Sequence, residues 1–144
     1  MKKIGIRVQL TAILILLVSC HSGAQTQPNA VRPMISGLPA TFIGTLPCAD
    51  CPGIVYQINL LPDQTFASRM IYQERNSSFD EQGSWEISKD GGILILKTVH
   101  GRPQQFSMPD ADTLRQLDSE GREIQSKFNY DLKRAPAFAS LAGK

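Results

Sequence analysis

The chain has 144 residues and a formal net charge of +2, and 19% of its residues are charged. This length suits one small domain, and the scattered basic residues disfavour nucleic-acid binding. Three basic residues lie in the first seven positions, so without that segment the chain has 12 basic and 13 acidic residues and a net charge of −1.

Residues 1–19 are predicted to be a lipoprotein signal peptide. A positive start precedes an apolar run, Leu10–Val18, that is shorter than the roughly 20 residues of a membrane span. The run ends at Leu17-Val18-Ser19-Cys20, which resembles a bacterial lipobox, so Cys20 is expected to carry the lipid that anchors the protein to a membrane. His21 stands where an Asp would resemble an inner-membrane retention signal, which favours the outer membrane.

The remaining chain divides by composition into three parts. Residues 20–38 are rich in Ser, Gln, Gly and Pro without an apolar period, which predicts a flexible tether. Residues 39–134 carry regular apolar patterns and are predicted to form the folded domain. Residues 135–144 are rich in Ala and Gly and are expected to be a C-terminal tail.

The predicted domain is all-β. Its apolar residues recur with period two in about eight short segments, which are separated by turn residues such as Pro62-Asp63-Gln64 and Lys89-Asp90-Gly91-Gly92. In chain order the predicted strands are Thr41–Leu46, Ile54–Leu60, Phe66–Gln73, Trp85–Ile87, Ile93–Leu96, Gln105–Met108, Thr113–Leu117 and Phe128–Leu132.

Sequential hairpins without a long crossover predict an antiparallel up-and-down meander. Closure into a barrel removes the exposed edges of such a sheet, and a half-open sheet or sandwich is the alternative. Trp85 and the alternating Phe and Tyr residues are expected to fill the barrel.

The segment Pro47-Cys48-Ala49-Asp50-Cys51-Pro52-Gly53 carries the candidate chemistry. A CxxC pair binds a soft metal, forms a local disulfide or exchanges thiols. With Cys20 used by lipid, Cys48 and Cys51 are the two remaining cysteines, and an oxidising envelope favours their disulfide. Asp50 is expected to accept hydrogen bonds from the amides of its turn.

Among metals, Cu(I) suits this pair best because it accepts two thiolate ligands, whereas a structural zinc site needs four. Further ligands for copper are Met34, Met70, Met108 or His100. A thioredoxin-like catalyst is disfavoured because its motif opens a helix in a βαβ unit. We find no enzyme motif and expect neither catalysis nor an organic cofactor.

The stretch Phe42–Ile54 is similar to the opening of the NlpE N-terminal domain family, in which Gly-x-Leu-Pro-Cys-Ala-Asp-Cys-x-Gly-Ile leads into an alternating strand. The resemblance spans about residues 40–133. It continues through Leu61–Phe66, Gly83-Ser84-Trp85, Asp118–Gly121 and Ile124–Tyr130.

The resemblance implies a small lipocalin-like barrel in an outer-membrane lipoprotein linked to copper tolerance, surface adhesion and envelope-stress signalling. It does not imply the signalling roles that depend on the second, OB-like domain of larger members. We therefore expect copper resistance or sensing, or a thiol-redox response, through Cys48 and Cys51, with an envelope-stress sensor as a candidate partner. The alternative is a lipocalin-like carrier of an apolar ligand, or a structural envelope module, in which the two cysteines only form a disulfide staple.

Overall fold

The computed structural model describes residues 35–141, whose eight strands form one closed antiparallel barrel in the order of the sequence. The predicted all-β fold and meander closure are confirmed. The strands are β1 (Ala40–Leu46), β2 (Ile54–Leu60), β3 (Thr65–Tyr72), β4 (Ser77–Ile87), β5 (Ile93–Thr98), β6 (Gln104–Asp110), β7 (Thr113–Gln116) and β8 (Asp131–Arg134). Within residues 35–141, no helix is long and apolar enough to cross a membrane. The predicted signal peptide, Cys20, His21 and Met34 lie outside the described residues.

The barrel interior is filled by the side chains that alternate inward along the strands. In β2, Tyr56, Ile58 and Leu60 are each 0% exposed, while Gln57 between them is only half-buried. Other strands supply the remaining fully buried groups of the core, among them Phe42, Phe66, Leu94, Leu96, Phe106, Leu114 and Leu132. Burial of this alternating face is the main driving force for the fold.

The last predicted strand, Phe128–Leu132, begins and ends earlier in the sequence than the strand observed there. The strand β8 covers Asp131–Arg134, and Phe128, which we expected inside the barrel, is 59% exposed. Two side chains divert the backbone before β8: Ser126 accepts a hydrogen bond from the Phe128 amide, and Asn129 accepts one from the Asp131 amide, each at 3.1 Å. Such local side-chain bonds favour turns over strand pairing.

The pairing of β7 with β8 includes a bidentate ion pair. Arg115 lies opposite Asp131 in the strand register, and its Nε and Nη2 atoms donate to the two carboxylate oxygens at 2.7 and 3.1 Å. These hydrogen bonds lower the pKa of Asp131 in the folded protein. Burial of the carboxyl group is the next largest effect and acts in the opposite direction, but the net pKa is lowered. Both strands are only four residues long, and this pair joins their side chains together with the hydrogen bond from Lys133 Nζ to Thr113 Oγ1.

We expect Asp131→Asn to reduce the free energy of unfolding at pH 7 by about 1 kcal/mol, because it removes a partly exposed bidentate ion pair. A lowered folded-state pKa stabilises the protein fully above the unfolded Asp pKa of about 3.9, and this stabilisation disappears as the pH falls through the folded value. Urea unfolding of the wild type and the variant between about pH 7 and pH 2 should show that their difference in free energy of unfolding becomes smaller below about pH 4. A difference that stays constant over this range contradicts a stabilising role for the ionised Asp131 carboxylate.

Candidate functional site

The CxxC segment forms the loop between β1 and β2 at one end of the barrel. Because neighbouring strands are antiparallel, the β3–β4 turn, the β5–β6 loop and the long β7–β8 loop lie at the same end. We call this end the disulfide rim. It therefore brings the cysteines together with parts of the chain that are far from them in sequence.

Cys48 and Cys51 are joined by a disulfide, with an S–S distance of 2.11 Å and Cα atoms 5.3 Å apart. Both residues are half-buried, and Ala49, Asp50 and Pro52 around them are exposed. The Cys48 Sγ atom lies 3.5 Å from Asp50 Oδ1, and the Cys51 Sγ atom lies 3.4 Å from the Gly53 carbonyl oxygen. A solvent-borne reductant or metal ion can therefore reach this pair.

The β3–β4 turn braces the loop through Arg75 and Gln73. The Arg75 guanidinium forms an ion pair with the Asp50 carboxylate, and its Nη2 donates to the Asp50 carbonyl oxygen at 3.1 Å. The backbone amide of Gln73 donates to the Gly53 carbonyl oxygen at 3.0 Å. Asp50 thus pairs with Arg75 rather than with turn amides, and the expectation that it caps its own turn was wrong.

Three potential metal ligands converge in this loop. One ligand atom from each of Cys48, Asp50 and Cys51 lies within 4.8 Å of the others. The two thiolates suit a soft ion such as Cu(I), and the carboxylate adds only a weak ligand. The sulfurs can serve as thiolates only after the disulfide is reduced. The donor set therefore fits copper in the reduced protein.

The other predicted ligands do not join this group. His100 is an exposed residue of the β5–β6 loop and is absent from the cluster formed by the described His, Cys, Asp and Glu residues. Met108 is 6% exposed and packs in the hydrophobic core, and Met70 packs against that core from β3. Arg75 is the residue of this candidate site that the sequence did not reveal, because only the β3–β4 hairpin brings it to the loop.

These features define a lipocalin-like meander barrel with a reducible CxxC loop at its rim. The chain belongs to the NlpE N-terminal domain family, whose profile matches residues 42–127.

Two curated relatives share most of this chain. Lipoprotein NlpE of Escherichia coli (strain K12) is 32% identical over 139 residues, which cover 93% of this chain and 58% of that protein. The 17 kDa lipoprotein of Treponema pallidum (strain Nichols) is 26% identical over 126 residues, which cover 78% of this chain and 79% of that protein. The chain thus spans little more than half the length of the first relative.

Solved structures show the same barrel. A lipoprotein from Shewanella oneidensis matches with a TM-score of 0.58 and 27% identity, covering 69% of this chain and 90% of that one. The Cpx pathway activator NlpE from Escherichia coli matches with a TM-score of 0.54 and 31% identity, covering 73% of this chain and 51% of that one.

Proposed function

We propose that this protein is an outer-membrane lipoprotein that responds to copper, or to the thiol redox state of the envelope, through Cys48 and Cys51. The observation that carries this proposal is a solvent-accessible disulfide with a carboxylate beside it at the rim of the barrel. Relatives named as lipoproteins support the envelope location. None of the names of these relatives describes an enzyme, and we propose no catalytic activity.

The same two sulfurs allow two related responses. Reduction of the disulfide by an envelope dithiol takes up two electrons and two protons and yields two thiols, while the reductant becomes a disulfide. The thiols then lose protons when they bind Cu(I), and the Asp50 carboxylate lies near enough to be a third, weaker ligand. Oxidation removes both ligands, so copper binding depends on the redox state of the pair.

A protein partner would approach from the disulfide rim. One relative is described as an activator of the Cpx pathway, which supports an envelope-stress sensor as the partner of this chain. The loop and the β3–β4 turn are linked through Arg75 and Asp50, so loss of the disulfide would change a surface that includes both segments. We propose that such a sensor binds this combined surface and responds to changes in it.

The filled interior offers little support for the alternative of a lipocalin-like carrier. Ile58, Leu60, Leu94, Leu96 and Phe106 are all 0% exposed and occupy the space in which an apolar ligand would lie. An occupant of the interior would have to displace several of these side chains.

The copper proposal is tested by anaerobic titration of the full mature protein with Cu(I) in competition with a chromogenic chelator. The reduced protein should bind about one ion and the oxidised protein none, because two thiolates form one site. Equal binding by the two forms, or no binding by the reduced form, would overturn the proposal.

Membrane attachment through Cys20 is a separate prediction. Cys20→Ala should abolish metabolic labelling with a radioactive fatty acid and release the protein from membranes, since one residue carries the anchor. A control with Cys48→Ala should keep its label. Undiminished labelling of Cys20→Ala contradicts the lipobox interpretation.

A further inference from the structure

A cleft of about 420 Å³ opens in the barrel wall where β4 leaves β5. Pairing between these strands begins at Gly83 and Thr98, so residues 77–82 of β4 are paired with β3 but extend beyond β5. Glu81 and Thr98 line the cleft, and Phe79 and Val99 stand at its mouth. Neither the CxxC loop nor Arg75 forms part of it.

The mouth of the cleft is apolar and unusually exposed. Phe79 is 57% exposed and Val99 is 68% exposed, although both are large hydrophobic residues. The Phe79 ring is held edge-on against Tyr72, with ring centroids 5.7 Å apart and an interplanar angle of 72°. A fixed, exposed aromatic face of this kind suits an apolar or cationic ligand group.

Glu81 places a negative charge at the inner end of the cleft. Gln104 donates to Glu81 Oε2 at 2.9 Å and accepts a hydrogen bond from the Tyr56 hydroxyl at 2.7 Å. Burial, with a smaller contribution from the Glu81 charge, raises the pKa of Tyr56 to about 12. Among the ion pairs of the described residues, Glu81 takes part in none, whereas its neighbour Asp80 is paired with Arg69.

A buried hydroxyl group in the lining of the cleft lacks a hydrogen-bond partner. The Thr98 Oγ1 atom is buried and unpartnered, and Thr98 lines the cleft together with Glu81. Ser68, opposite Glu81 in the β3–β4 register, is 0% exposed, and its hydroxyl lies at the Tyr56 hydroxyl rather than in the cleft. Buried polar groups are normally satisfied, so the Thr98 hydroxyl indicates a missing polar group.

We propose that this cleft binds a small primary ammonium ion with an apolar tail. The ammonium group donates through its N–H groups, for which the Glu81 carboxylate and the Thr98 hydroxyl supply acceptors. Its positive charge provides the counterion that Glu81 lacks, and the tail lies against Phe79 and Val99. A neutral ligand would leave the carboxylate uncompensated, and an anion would be repelled by it.

The test is titration of the full mature protein with 2-phenylethylammonium, followed by amide chemical shifts in NMR. The amine should bind and shift the amides of Thr98 and Val99, while 2-phenylethanol and phenylacetate should bind at least about tenfold more weakly. Equal binding of the amine and the alcohol would overturn the proposal, as would an absence of saturable binding.

Variants locate the site. Glu81→Gln should weaken amine binding at least about tenfold, since a charge-assisted hydrogen bond is lost while the amide oxygen can still accept from Gln104. Phe79→Leu should weaken it about threefold by removing the aromatic face. The matched control is Glu74→Gln, which neutralises an exposed glutamate outside the cleft and should change affinity less than about twofold. Melting temperatures establish that each variant is folded, and unchanged affinity in folded Glu81→Gln refutes the assignment.

A soluble amine and a lipid ethanolamine headgroup both carry a primary ammonium ion. Short-chain phosphatidylethanolamine and phosphatidylcholine, used below their micelle concentrations, distinguish these sources. Saturable binding of the ethanolamine lipid but not the choline lipid supports a headgroup as ligand, and binding of phenylethylammonium alone supports a soluble amine. If both lipids bind equally and the alcohol matches the amine, the cleft is not an ammonium site.

Discussion

Gly83→Ala is expected to destabilise the barrel by about 3 kcal/mol, because overpacking at a fixed backbone position is among the costliest single-atom changes. An added Cβ would lie 2.0 Å from the Lys97 carbonyl oxygen and 3.0 Å from Phe66 Cε1. The first contact is with backbone, so it cannot be relieved by rotating a side chain. Phe66 is 2% exposed and packed in the core, so its ring also has little room to move.

Gly92→Ala is the matched control for this prediction. The nearest atom to a Cβ at that position is Asp90 Oδ1 at 4.0 Å, so the added methyl group meets open space. Its effect should stay within about 0.5 kcal/mol. Urea unfolding followed by tryptophan fluorescence, with Trp85 as the probe, measures both variants. Equal urea midpoints for the two variants would contradict the prediction, because they would show that β4 and β5 can move apart at Gly83 with little loss of stability.

The barrel could be predicted because inward and outward residues alternate clearly in strands such as β2. A closed barrel buries one face of each strand, and the fully buried Ile58 and Leu60 with the half-buried Gln57 between them reproduce that pattern in the sequence. Turn residues then fixed the order of the hairpins. The alternating aromatic residues Phe42, Tyr56, Phe66 and Phe106, as well as Trp85, are buried as predicted.

The first half of β4 could not be predicted from the same pattern. Residues 77–82 read Ser-Ser-Phe-Asp-Glu-Gln and pair with β3 at the disulfide rim, beyond the hydrophobic core. Strand structure there is supported by pairing rather than by burial, so no apolar alternation appears in the sequence. This same lack of a burial signal concealed the cleft beside Glu81.

Contacts made by backbone atoms were also beyond sequence reasoning. In the segment predicted as a C-terminal tail, the Ala139 carbonyl oxygen accepts hydrogen bonds from Gln57 at 2.7 Å and Asn59 at 2.8 Å. The Ala139 amide donates to Thr41 Oγ1 at 2.9 Å. Thr41 and Asn59 are thereby buried on the outside of the barrel. An alanine gives no side-chain signal for such docking.

The candidate site was predictable only in part for a related reason. A separation of three residues places Cys48 and Cys51 near each other in any tight loop, so their proximity follows from the sequence. The brace through Arg75 depends on the β3–β4 hairpin and on its register, neither of which can be read from the motif. The sequence alone therefore does not indicate that Arg75 contacts the loop that holds Cys48 and Cys51.

Cys48→Ser and Cys51→Ser are each expected to lower the Cu(I) affinity of the reduced protein by about two orders of magnitude or more. A thiolate pair can hold Cu(I) in nearly linear coordination, whereas a single thiolate must recruit a weaker donor. The double variant should be little worse than either single variant, because the first substitution already removes the two-thiolate site. Oxidation of the wild-type protein should act like the double variant.

Stability measurements separate this metal role from a structural staple. The disulfide closes a loop with a sequence separation of only three residues, so it contributes about 2 kcal/mol or less, and the barrel should remain folded in all three variants. Asp50→Asn is the conservative neighbour: it should reduce affinity far less, because a carboxylate is a weak ligand for a soft ion. Competition with a chromogenic Cu(I) chelator gives each affinity, and circular dichroism verifies the fold. If the reduced wild type and the double serine variant bind Cu(I) equally, the cysteines form a staple, and copper sensing through this loop is refuted.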